Sequence, residues 1–126
     1  MKEIDTILKK IEKIIAGYGH YKFEAYSFVM AGLHYTVSKL EKQRHVTGRE
    51  LLDGIRRYAL DQFGPMARTV LQYWGITETE DFGKIVFALV DAGILRKQPE
   101  DKLEDFRDVF RFDEAFDQAY KIDDEA

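Results

Sequence analysis

Apolar residues recur at helical spacing through most of the 126-residue chain. Ile4, Ile7, Leu8, Ile11, Ile14 and Ile15 mark one face of an N-terminal amphipathic helix within residues 1–19, stopped by Gly17 and Gly19. Tyr26, Val29, Met30, Leu33, Val37 and Leu40 form the stripe of a longer second helix, from about Lys22 to Lys42. Tyr21, Phe23, Phe28 and Tyr35 widen that stripe, which places this helix centrally and fits a buried face better than an aromatic ligand pocket. Thr47 and Glu50 have T-x-x-E capping-box spacing, with Val46 positioned as a hydrophobic staple. A third helix then carries Leu51, Leu52, Ile55, Tyr58, Ala59 and Phe63. Gly64 and Pro65 punctuate it and admit a fourth, with Met66, Val70, Leu71 and Trp74 inward and Gly75 at its end. Thr77 and Glu80 repeat the T-x-x-E spacing before a fifth helix with Phe82, Ile85, Val86, Leu89 and Val90, closed by Gly93. Ile94-Leu95 and Val109–Phe112 have the length and content of short strands across the turn QPEDKLEDFRD, and Ala115, Phe116, Ala119 and Tyr120 predict a short closing helix.

The expected fold is mainly α within an α+β layout: five to six helices with a short C-terminal β-hairpin. One domain is expected over residues 1–122, its core at 20–116, with a frayed acidic tail at 123–126. The stretch from Phe63 to Phe112, helix–turn–helix–hairpin, resembles a winged helix in element order alone, and a fold does not fix a function.

Composition narrows the classes. Apolar residues at 45% and charged residues at 33%, with two prolines, describe a globular chain. Without cysteine, disulfides, thiol catalysis and cysteine-held zinc are excluded. The longest apolar run, IVFALV, is far shorter than a bilayer span, and charges throughout MKEIDTILKKIEKII argue against a signal peptide. A cytoplasmic location without membrane contact is the resulting expectation. The net charge of −4 divides unevenly: residues 1–76 hold 12 Lys/Arg against 8 Asp/Glu, and residues 77–126 hold 7 against 15. Such asymmetry fits association with a protein partner or head-to-tail self-association.

The segments RHVTGREL, QFGPMA, WGI and T-x-DFG-x-IVF-x-LV-x-AGIL together resemble a family of short, uncharacterised bacterial proteins, over roughly residues 20–116. That resemblance implies a compact cytoplasmic bacterial protein. It brings no activity, cofactor or catalytic residue to any position here.

Candidate chemistry is sparse. His20 and Glu24 share a helical face, but no H-E-x-x-H follows, and His34 and His45 lie elsewhere, so no metal site is expected. Asp81-Phe82-Gly83 spells a kinase-like DFG without the glycine-rich loop or HRD that kinases need; Asp81 reads instead as a charge near a helix N-terminus. No nucleophile or acid–base pair stands out, so neither an enzyme nor a cofactor is expected. Arg44, His45 and Arg49, beside the start of the third helix, form the most suggestive polar group for a phosphate or carboxylate, unless the arginines pair with Glu41, Glu50 or Asp53. Nucleic-acid binding by the fifth helix and the acidic turn after it is disfavoured, because such a surface repels phosphates. The remaining basic face comprises Lys42, Arg44, Arg49, Arg56, Arg57 and Arg68. The leading expectation is a non-enzymatic module acting through protein contacts, as a scaffold or homo-oligomer. A nucleic-acid-binding regulator using residues 42–68 is the first alternative, and an anion- or metabolite-binding protein centred on Arg44, His45 and Arg49 the second.

Overall fold

The computed structural model describes residues 2–17, 19–42 and 44–118. Five α-helices follow one another: α1 (Lys2–Gly17), α2 (Phe23–Ser38), α3 (Gly48–Phe63), α4 (Ala67–Tyr73) and α5 (Thr79–Asp91). A 3₁₀ turn at Gly64–Met66 joins α3 to α4, a second spans Leu103–Phe106, and a π-helical turn covers Asp113–Gln118. The anticipated closing helix meets that π-helical turn at Ala115 and Phe116; Ala119, Tyr120 and the acidic tail lie outside the described residues.

The central contact is α2 on α3. It is close because Gly54 offers α2 no side chain: a Cβ there would sit 1.8 Å from Thr36 Oγ1. Thr36 is buried and returns its hydroxyl to Gly32 O at 2.7 Å, so the approach leaves no hydroxyl unsatisfied. Aromatic residues of α2 pack toward α3 and α4: the Phe28 ring lies 5.3 Å from Tyr58 and 5.6 Å from both Phe63 and Trp74. This leaves the aliphatic residues Val29, Leu33 and Val37 for the side toward α5.

Local chemistry sets the helix ends. The Thr47–Glu50 capping box is present, with Glu50 N donating to Thr47 Oγ1 at 3.2 Å and Thr47 N to Glu50 Oε1 at 3.0 Å. α2 stops at Ser38, short of Lys42, because Lys39 N and Leu40 N turn back to Thr36 O and Val37 O. At α5 the box shifts by one residue from the expected Thr77–Glu80 pair. Glu78 is the N-cap, and Asp81 Oδ2 accepts from Thr77 N at 2.8 Å and Glu78 N at 3.1 Å. Glu80 is free to meet Arg107 at 2.5 Å instead.

No strand occurs among the described residues, so the anticipated C-terminal hairpin is absent and the winged-helix layout loses its wing. The apolar pairs that imitate strands find other partners. Ile94 N and Leu95 N both donate to Leu89 O, at 2.9 and 3.2 Å, after Gly93 at φ +77°, which makes Ile94-Leu95 the C-terminal cap of α5. Val109 N donates to Thr79 Oγ1 at 3.2 Å, so a buried threonine hydroxyl takes the place of a ladder bond. Phe106 is buried against α5, and Phe112 and Phe116 are buried with their rings packed on each other at 5.0 Å. No described helix is long and apolar enough to cross a membrane.

Candidate functional site

The aliphatic side of α2 faces α5 across a gap that side chains do not fill. It forms a cavity of about 210 Å³, floored by Val29, Leu51 and Val46, which are buried. Leu33, Val86 and Phe87 rise around this floor. Phe106 closes one side, edge-on to the Phe87 ring at 6.3 Å. Two devices hold Phe106 there: its carbonyl accepts from Thr79 Oγ1 at 2.6 Å, and Gly83 leaves room for its ring. A Cβ at Gly83 would come within 2.6 Å of Phe106 Cγ.

The mouth is charged. Exposed Arg44, His45, Arg96 and Lys97 line it, together with Asp101 and Asp105. Arg44 is committed elsewhere, with Nη1 3.0 Å and Nη2 2.6 Å from the two oxygens of Glu50. That bidentate pair and the Thr47 N–H hold the Glu50 carboxyl at about 2, well below its ordinary range. His45 Nε2 meets Asp101 Oδ2 at 2.8 Å, joining the start of α3 to the loop after α5. Lys97 Nζ lies 3.3 Å from Gln98 O and 3.4 Å from Asp101 O. Asp101 also accepts from Gln98 N at 2.8 Å, and Asp105 from Lys102 N at 3.2 Å. Arg96 makes no hydrogen bond or ion pair with a described residue.

The six basic positions singled out in the sequence are not one group. Arg44 and His45 are at the cavity mouth, whereas Arg49 is exposed in the first turn of α3 and does not line it. Arg56 and Arg57 both pair with Asp53, each at 3.2 Å. Arg57 lines a separate depression with Tyr35 and Lys39. Arg68 pairs with Asp117 at 2.7 Å, beside the 108–113 segment. Lys42 is exposed between α2 and α3. His20 and His34 are exposed, and no group of three or more His, Asp or Glu residues among those described could hold a metal ion.

Sequence reasoning missed Arg96, Lys97, Phe87 and Phe106 as site residues. The available signal was the basic pair directly after the helix-closing AGIL, which a strand assignment for Ile94-Leu95 concealed. The arrangement suits recognition: an apolar chamber whose entrance is lined by an exposed arginine, Arg96, with no ion pair to a described residue. No protein-family model, curated protein or solved structure matches the chain.

Proposed function

We propose that the protein is a non-catalytic binding protein for a small amphipathic anion, held in the cavity between α2, α3 and α5. The observation that carries this reading is the coincidence of an apolar chamber of about 210 Å³ with Arg96, which lines its entrance and makes no hydrogen bond or ion pair with a described residue. Cavities with apolar walls and a few convergent polar groups are the usual form of a small-molecule site. The reading keeps the anion-binding expectation and moves its centre from Arg44, His45 and Arg49 to Arg96. Nucleic-acid binding is less well supported, because Arg44, Arg56, Arg57 and Arg68 already sit in ion pairs with acids. The test is thermal melting against a panel of small organic acids, with Leu33→Trp as a variant whose cavity is filled. A ligand at 100 times its Kd stabilises the folded state by about 2.7 kcal/mol. Stabilisation of the wild type and not of the variant is expected; flat melting curves, or equal stabilisation of both, would contradict the reading.

A second reading, contact with another copy of the chain, is favoured by Ile4 and Leu8. They are 57% and 37% exposed and one turn apart on α1. Sedimentation should then show a dimer that Ile4→Glu with Leu8→Glu converts to monomer, and a monomeric wild type would end this reading.

A further inference from the structure

We infer that the occupant of the cavity is a monocarboxylic acid whose apolar body is about one aromatic ring in size, its carboxylate paired with Arg96. The inference rests on the proposal that this cavity is a ligand site and adds the chemical class of the ligand.

Volume sets the body. An apolar cavity of ~150 Å³ accommodates benzene. About 210 Å³ therefore takes one ring or a branched equivalent and a few further atoms. Leu33, Val86, Phe87 and Phe106 give that body aliphatic and ring-edge contacts, with no buried charge to desolvate.

The mouth sets the head group. Arg44 is paired with both oxygens of Glu50 and His45 with Asp101, whereas the Lys97 ammonium keeps its charge and rests 3.3 and 3.4 Å from two neutral carbonyl oxygens. Of the cationic residues at the entrance, Arg96 alone has no hydrogen bond or ion pair among the described residues, so its guanidinium is the group a ligand carboxylate can pair with. A guanidinium presents parallel N–H donors whose spacing fits the two oxygens of a carboxylate. A dianion such as a phosphate monoester would bring its second charge near Asp101 and Asp105, which line the same entrance. An amine in the ligand would meet the like charge of Arg96. The mouth thus discriminates by charge number as well as by sign.

Isothermal titration of the full chain near neutral pH tests this with four probes of one size: phenylacetate, phenylacetamide, phenyl phosphate and phenethylamine. The inference expects phenylacetate to bind at least tenfold tighter than the other three. It further expects Arg96→Gln to abolish the preference over phenylacetamide. Arg49→Gln, outside the cavity, should leave every affinity unchanged. Equal binding of the acid and its amide, tighter binding of phenyl phosphate or phenethylamine, or a preference that survives Arg96→Gln would overturn the monocarboxylate and leave the cavity as a ligand site. Binding of none of the four would overturn both.

Discussion

Tyr21 Oη donates a 2.5 Å hydrogen bond to Asp81 Oδ1 across 60 residues of chain, and both side chains are buried. The other carboxylate oxygen of Asp81 caps α5 by accepting from Thr77 and Glu78. One carboxylate therefore starts the helix that walls the cavity and ties that helix to the segment leading into α2. The DFG tripeptide is thus a structural tie, with Phe82 fully buried beneath it and Gly83 against Phe106.

Removing the tie should be costly. Tyr21→Phe deletes one donor to a buried carboxylate, and hydrogen bonds to charged groups contribute about 1.5–3 kcal/mol. A loss of that size in urea unfolding, with an unchanged m-value, is expected. A loss under 0.5 kcal/mol, roughly the scatter of neutral surface substitutions, would mean that Tyr21 acts through packing alone.

The capping box of α3 gives a prediction with a pH window. Thr47→Ala should destabilise by about 1 kcal/mol, the usual value of a side-chain N-cap. Glu50, ordinarily at 4.5, is lowered to about 2 in the folded chain, first by Arg44 and then by the Thr47 N–H. A depressed folded value stabilises the native state above the unfolded value, and the contribution is lost as pH falls through the folded one. The stability difference between wild type and Arg44→Ala should accordingly be full above pH 4.5 and shrink toward pH 2. Chemical denaturation at several pH values measures it, and a difference independent of pH over that interval would refute the assignment.

Phe106 has two roles that substitution separates. Phe106→Ala removes a buried ring and should cost about 3–5 kcal/mol. Gly83→Ala keeps the ring but sets a methyl within 2.6 Å of Phe106 Cγ, which forces the ring or α5 to shift, a mispacking worth about 1–3 kcal/mol. Both changes should weaken ligand binding, since Phe106 forms one side of the chamber. Thermal unfolding of the two variants, read beside their affinities for phenylacetate, checks this. Unaltered binding in both would show that the chamber does not depend on that wall.

The helices were legible in the sequence because their signals are local. The apolar stripe of α1, the Thr47–Glu50 box and the Gly64-Pro65 break each lie within a few residues and survive in the fold. The region after Gly93 was not legible, because its partners are distant. Val109 is satisfied by Thr79, and Phe106 by the space over Gly83, contacts invisible to period-two reasoning, which reads two short apolar runs as strands. The candidate site was half legible for the same reason. Arg44 and His45 stood out beside a helix start, but Arg96 and Lys97 reach the same entrance from the far end of α5, after a turn built by Gly93. Arg49 looked equivalent to Arg44 in sequence; on the first turn of α3 it is exposed and is not part of the lining.

The most direct test of the cavity as the ligand site is methyl-resolved NMR of the full chain titrated with phenylacetate. The account predicts saturable shifts confined to the methyl groups of Val29, Leu33, Val37, Val46, Leu51, Val86 and Leu95, which line the cavity, with those of Leu40 and Val70 unmoved. Shifts centred instead on Leu40, beside the Tyr35 and Arg57 depression, or no saturable shift in any methyl group, would contradict it.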